Sequence, residues 1–330
     1  MEVAKEDEDG RIRTGTLTCI HCSTRAPIIR YIPRFVPLEN YAASFGLEWK
    51  IHRRTQYDSH SGVRLSELRF FAETRWPRDL AGEVIIEVGS GSGRFTTQAA
   101  STGATVLSLD YSEAVEANYA SNGGRDNVLI VQGDIYQMPF RAEYADRLFC
   151  FGVLQHTPDP RRAFLSLPRH VKPGGWIVAD VYAKSFLSVV LSTKYWIRPL
   201  TRRIAPDKLY RLTRRYINVM WPVARIVRRI PTIGKALNWR LLIADYSDAI
   251  SDDGVLREWA YLDTFDMLAP RYDSPQMLRT VKRWCLEADL VDAEVGYGVN
   301  VTSGRTSQRR SRIEVRARKR PRAVIRPTTS

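Results

Sequence analysis

Glu87-Val88-Gly89-Ser90-Gly91-Ser92-Gly93 decides how this chain is read. It stands directly after the apolar run Val84–Val88 and before a stretch of helical character, the setting of a strand–loop–helix junction. Glycines there let the backbone turn sharply and approach a ligand with no Cβ in the way. The helix that follows offers free N–H groups, which suit a carboxylate or a phosphate. Spacing narrows the choice of ligand. A dinucleotide fingerprint G-x-G-x-x-G would set its third glycine at position 94, where this chain has Arg94. The Gly-Lys-Ser/Thr end of a phosphate loop is absent as well. A G-x-G-x-G loop headed by an acid suits S-adenosylmethionine (SAM), which has no pyrophosphate to accommodate.

Outward from the loop, residues 83–181 alternate apolar runs with polar helical stretches, the signature of βαβ units on a parallel sheet. The pattern predicts strands at Val84–Val88, Thr105–Leu109, Val128–Gln132, Arg147–Gly152 and Trp176–Val181. Each is short and rich in branched residues, as strands covered on both faces should be. Residues 185–260 break this rhythm and read as helices, Leu209–Arg229 among them. A helix over Gln276–Ala288 leads to a strand at Asp292–Val299. Val299–Ser303 and Arg312–Ala317 both alternate like strands, and one of the two is expected to pair with the sheet.

Acids fall at the strand ends. Asp110 ends the second strand, where its carboxylate can accept both hydroxyls of a ribose. Gly133-Asp134-Ile135 ends the third, placing an acid near an adenine amino group. Asp146 opens the fourth, and Lys172-Pro173-Gly174-Gly175 turns into the fifth. A lone acid after a strand is commonly a helix cap; several in order at strand ends fit a nucleoside site better.

With these motifs in place, Ile85 to Asp180 resembles the SAM-binding domain of the type 11 methyltransferase family. The resemblance rests on Glu87–Gly93, Asp110-Tyr111-Ser112, Gly133-Asp134, Val153-Leu154-Gln155-His156-Thr157-Pro158-Asp159 and Lys172–Gly175, and spans about a third of the chain. It implies an α/β, Rossmann-like class I methyltransferase sheet, mostly parallel and seven-stranded, with helices on both faces and a helical insert. It also implies SAM as cofactor, with Glu87, Gly89, Gly91 and Gly93 near the methionyl end, Asp110 on the ribose and Asp134 on the adenine. Ser90, Tyr111, Ile135 and Phe151 complete the expected cofactor set.

Ile32–Val36 and Asn40–Trp49 are similar to a subgroup in which a small cysteine-bearing element precedes a type 11 domain, often in polysaccharide or secondary-metabolite pathways. A complete zinc ribbon has two C-x-x-C pairs. Here Cys19 and Cys22 are the only metal candidates, and bound zinc is not expected. The expected division is a 1–36 extension with this remnant, a 37–80 helical cap, an 81–184 core, a 185–265 helical lid, a 266–304 return to the catalytic domain, and a 305–330 basic tail lacking full order. Residues 1–15 are also expected to be disordered.

His156 follows the fourth strand, at the rim where a methyl group would be presented. A neutral imidazole there can take a proton from a hydroxyl; the alternatives are a loop-capping histidine and transfer by alignment alone. Asp263-Thr264-Phe265-Asp266 and Arg271-Tyr272-Asp273-Ser274-Pro275 resemble a substrate-facing segment of the subgroup, which makes Asp263, Asp266 and Tyr272 substrate candidates beside a plain reading as capping turns.

Charge and composition bound the rest. The formal net charge is +14, of which residues 305–330 hold +9, ten Arg or Lys against Glu314. Four cysteines in 330 residues make no disulfide framework. No signal peptide or membrane-length apolar run is read, so a cytoplasmic enzyme is expected. The expected reaction is O-methylation of a sugar, glycan or small metabolite, with a lipid-linked acceptor among the alternatives. Trp196, Tyr210, Tyr216 and Trp221 lie among arginines in the insert, either as a peripheral membrane contact through 185–240 or as helices with solvated basic faces. An RNA methyltransferase and a non-catalytic SAM-binding scaffold are the competing classes. Nucleic acid is not expected, because Phe151-Gly152-Val153-Leu154 stands where amino-directed nucleic-acid enzymes carry an Asn-Pro-Pro-Tyr-like tetrapeptide.

Overall fold

The computed structural model describes residues 2–6, 10–37, 40–184, 192–302 and 305–322. In chain order, β1 (Glu2–Glu6), β2 (Ile12–Thr18), β3 (Arg25–Ile29) and β4 (Ile32–Pro33) form an antiparallel sheet of sequential neighbours. Helices α1 (Ala43–Ile51), α2 (Asp58–Ser61) and α3 (Leu65–Thr74) lead to the alternating core: β5 (Val84–Val88), α4 (Arg94–Ala100), β6 (Thr105–Asp110), α5 (Val115–Asn122), β7 (Val128–Gln132), β8 (Ala145–Cys150), α6 (Pro160–Ser166) and β9 (Val171–Tyr182). The helical insert holds α7 (Thr193–Thr201), α8 (Pro206–Val227), α9 (Gly234–Arg240) and α10 (Asp253–Leu268). Helix α11 (Leu278–Glu287) then feeds β10 (Leu290–Thr302) and β11 (Arg305–Lys319).

The main sheet has seven strands in the order β10-β11-β9-β8-β5-β6-β7. Strands β5 to β9 pair in parallel, and β11 is antiparallel to both neighbours, β9 and β10. Its central strands are largely buried on both faces, which explains why apolar residues point to either side of them. Ile85, Phe149 and Val178 face Phe70, Trp76 and Phe95 on one side. Ile86, Leu148 and Ile177 face Phe164 and Trp284 on the other. Each such side chain, fully buried, contributes about 1.5–3 kcal/mol, and the two layers together fix the register. Strand order reverses between β5 and β8, so a crevice opens at their carboxyl ends.

The small N-terminal sheet covers the far edge of the main one. Phe35 N–H donates to the Gln132 carbonyl at 2.8 Å, the Arg34 guanidinium donates to Gln132 Oε1 at 2.7 Å, and Ile32 packs on Val115 and Ile130. An otherwise open edge strand, β7, is thereby closed.

Four expectations need correction. Residues 305–319 are not a tail: Ile313, Val315 and Ala317 are buried in β11, and its alternation puts Arg312, Arg316 and Arg318 on the opposite face. Val299–Ser303 and Arg312–Ala317 do not exclude one another, since both strands join the sheet, with Ser303 outside the described residues. Within residues 1–15, β1 and the start of β2 form strand pairs where disorder was expected. The fourth strand runs over Ala145–Cys150 rather than Arg147–Gly152, because Gly152 turns out of it at φ +73°. Residues 185–191 of the lid and 323–330 lie outside the described residues.

Candidate functional site

A cavity of about 1050 Å³ lies over the carboxyl ends of β5, β6 and β8. Its floor is the Gly89–Ser92 loop, and its walls come from α1, the segment after β8, α9 and α10. Gly89 has φ +79°, and a Cβ there would sit 2.1 Å from Val153 Cγ2, so only glycine lets the loop pass the segment after β8.

The acids around the loop take different parts. Glu87 is buried beneath it, with Oε2 accepting from the Thr96 hydroxyl and, at 2.8 Å, from the Ser108 hydroxyl. Its Oε1 has no partner, and burial pushes the carboxyl up to about 7. Asp110 accepts from Gly91 N–H at 2.8 Å and from the Ser112 N–H and hydroxyl at 2.8 and 2.7 Å. Burial raises its pKa too. These donors occupy three of a carboxylate's roughly four acceptor positions, which leaves room for one ribose hydroxyl more readily than two. Asp134 Oδ1 accepts from Tyr136 N–H at 2.9 Å, while its neighbours Gly133 and Ile135 line the cavity. Asp146 lies at the other end of the sheet, pinned to Val84 N–H and Lys172.

The loop satisfies a concrete test for SAM. The hydroxyls of Ser90 and Ser92, both in the lining, are buried without partners, so the floor holds polar atoms in need of a polar ligand; Glu87 Oε1 is unpartnered as well, beneath the loop and outside the lining. Tyr111 stacks on Tyr41 at 4.7 Å between ring centroids, a flat aromatic pair on the Asp110 side of the cavity. Phe151 lines the same cavity and packs edge-on against Phe95.

His156 also lines the cavity. Its Nδ1 lies 3.0 Å from the Tyr272 carbonyl, which can only accept, so Nδ1 carries the proton. Phe45 and Tyr182 meet the imidazole edge-on from either side. Tyr272 thus acts through its backbone, its own ring packed against Tyr41. Asp263 and Asp266 both face the cavity. Asp263 accepts from the Tyr246 hydroxyl and from Gln56 at 3.3 Å, and burial pushes it up to about 6. Cys19 and Cys22 are exposed in the turn between β2 and β3.

Sequence reasoning named no site residue in α1, yet Phe45, Glu48 and Trp49, together with Tyr41 just before the helix, line the cavity. The spacing of three and one puts Phe45, Glu48 and Trp49 on one helical face. Glu48 is buried with Oε2 unpartnered, and burial followed by Asp266 pushes it well above the usual carboxylate range. Arg94, the residue that breaks the dinucleotide pattern, turns into the cavity; burial and then Arg69 push it down to about 10. A buried network backs this wall. Arg69 pairs with Glu73 and Asp180, each at 2.6 Å, and Asp180 Oδ1 accepts from Gly152 N–H at 2.5 Å.

Comparison with known proteins agrees with this geometry. The family model described as "Methyltransferase domain" matches residues 86–179. A ubiquinone biosynthesis O-methyltransferase of Thiobacillus denitrificans is 31% identical over 158 residues, covering 44% of this chain and 67% of that protein. Another of that name, from Bordetella avium, is 28% identical and covers 38% of this chain and 57% of that protein. A demethylmenaquinone methyltransferase of Clavibacter sepedonicus is 33% identical and covers 32% of this chain and 44% of that protein. The chain therefore spans about half to two thirds of these relatives' lengths.

Proposed function

The chain belongs to the class I SAM-dependent methyltransferases, and from that premise we propose that it methylates a hydroxyl oxygen of a sugar or other small metabolite. The observation that carries oxygen as the acceptor atom is the fixed tautomer of His156. With Nδ1–H held by the Tyr272 carbonyl, the acceptor lone pair is at Nε2 on a cavity-lining ring. Such a nitrogen suits a hydroxyl that must lose its proton as it is methylated.

Glu87, Ser90 and the loop glycines would hold the methionyl end of the cofactor, Asp110 its ribose, and Tyr111 with Ile135 its base. Bound there, SAM supplies a sulfonium methyl for transfer to the acceptor oxygen, with release of the neutral thioether. His156 takes the hydroxyl proton at Nε2. Glu48, Asp263 and Asp266 present oxygens to acceptor hydroxyls, and Phe45 and Trp49 exclude water above them.

A second reading follows the aromatic lining. Phe45, Trp49, Tyr182 and Trp239 offer ring faces and edges to a phenolic acceptor, in keeping with relatives named for ubiquinone biosynthesis. The test is S-adenosylhomocysteine release with SAM and matched panels of sugars, phenols and amines, using wild type and His156→Ala. Turnover confined to amines sinks the proposal; turnover on phenols but not sugars selects the second reading.

A further inference from the structure

Helix α8 is divided lengthwise into three faces. Leu209, Thr213, Ile217, Trp221 and Ala224 are buried against the domain. Leu212, Tyr216, Val219, Val223 and Ile226 recur every three or four residues and are all exposed, Val219 by 75% and Ile226 by 65%. At about 100° per residue this stripe lies roughly 120° around the helix from the buried one. Arg211, Arg214, Arg215 and Arg225 occupy the exposed remainder, with Arg229 exposed just past the helix end. One exposed apolar residue needs no explanation, but an unbroken line of five on one helix marks an interaction surface.

Charge identifies the partner. Residues 201–244 hold eleven Lys or Arg and one acid, Asp207. Arg211 pairs with Asp207, and Arg225 lies 3.8 Å from Asp253. Among the described residues, Arg202, Arg203, Lys208, Arg215 and Arg229 have no carboxylate within ion-pairing distance, and Arg214 instead lies over the Tyr261 ring at 5.7 Å. Aliphatic side chains beside unpaired arginines match the boundary between acyl chains and anionic headgroups, where arginine stems bury and guanidinium groups reach phosphate. Beyond α8 the apolar surface runs on through Ile230 and Ile233 to Leu237. Helix α9 links this surface to the site: Lys235, Ala236 and Trp239 line the cavity while Leu237 is exposed. The Tyr216 hydroxyl donates to the Leu241 carbonyl, which holds the stripe beside α9. No helix among the described residues is long and apolar enough to cross a membrane, so contact through these residues lies along the surface.

We propose that this face of α8, continued by Ile230, Ile233 and Leu237, docks the protein on an anionic bilayer with the cavity mouth beside the headgroups. Docking rests on the face alone; delivery of a membrane-borne acceptor to His156 rests in addition on the function proposed above.

The test is co-sedimentation of the full chain with phosphatidylcholine vesicles, with and without phosphatidylglycerol as about one third of the lipid. The wild type should partition at least roughly tenfold better onto the anionic vesicles and be released by salt. Val219→Asp and Ile226→Asp, both on exposed positions, should each cut partitioning by roughly tenfold with unchanged Tm and unchanged SAM binding. Wild-type protein that stays in the supernatant at low salt overturns the proposal, as do folded variants that bind as well as wild type. A dimer seen by light scattering and dissolved by Val219→Asp, without vesicle binding, assigns the face to a second copy instead. Wild-type protein that docks but shows no methyl transfer leaves docking standing and counts against the proposed function.

Discussion

Arg312 Nη2 lies 2.7 Å from Glu73 Oε1, an ion pair between β11 and α3 that joins residues more than two hundred positions apart. The same guanidinium approaches Asp180 at 3.6 Å, and Asp180 in turn holds the Gly152 amide at the cavity wall. Burial raises the Glu73 carboxyl, and Arg69 and then Arg312 oppose that rise. Arg312→Ala removes one of the two cations from a buried cluster. It should cost about 3 kcal/mol or more in urea unfolding. A loss within about 0.5 kcal/mol would mean that Arg69 alone neutralises the cluster.

Asp110→Ala should weaken SAM binding by roughly tenfold to a hundredfold, since it deletes the acceptor proposed for the ribose and unties Gly91 and Ser112. Calorimetric titration measures this directly. Unchanged affinity in the variant would remove Asp110 from the cofactor site.

Glu87 makes a prediction of opposite electrical sense. Burial pushes its carboxyl up to about 7, into the neutral range. The ammonium of a bound methionyl group would favour the ionised form, so SAM binding near neutrality should release a fraction of a proton. Titrations in buffers of different ionisation enthalpy read that number, and Glu87→Gln should abolish it.

His156→Ala should lower kcat by about a hundredfold or more while SAM affinity stays within a few-fold of wild type. A drop of less than about tenfold would show that alignment suffices and that the imidazole only shapes the cavity.

His52 sets a pH dependence of stability. It is buried, bonded to Thr55 and to the Tyr210 hydroxyl, and burial pushes it down to about 4 from an ordinary 6.5. Between these values the unfolded chain binds a proton that the folded one does not. The stabilisation is therefore complete above pH 6.5 and is lost as pH falls toward 4, by about 3 kcal/mol in total. Buried carboxyls such as Glu87 slope the other way, so the difference between wild type and His52→Asn isolates the effect. Parallel profiles for the two proteins would remove His52 from the account.

The core was legible because its signals are local. Val84–Val88 and Val128–Gln132 have the predicted bounds, since each is a short run rich in branched apolar residues bounded by turn-forming ones. The placement of the glycine loop and of Asp110 in the cavity lining was equally readable, since position relative to a strand end sets it. Strand β11 was legible only in part: the alternation of Arg312, Glu314 and Arg316 with Ile313, Val315 and Ala317 reads as a strand, while the count of cations over 305–330 reads the same residues as a tail. The wall from α1 was out of reach for another reason. Nothing local to Glu48 or Trp49 says that the chain folds back over residues 89–92, a contact that only tertiary packing creates.

The position of β11 between β9 and β10 also orders events during synthesis. A ribosome delivers β5 to β9 first, and they can pair in parallel as they emerge. Strand β10 has no neighbour in that sheet other than β11, so it must wait until residues 305–319 clear the exit tunnel. Until then β9 presents an unpaired edge and a half-covered apolar face, the kind of surface that chaperones hold. A stall or a nonsense codon upstream of residue 305 thus leaves the nascent chain with its glycine loop made and its sheet open.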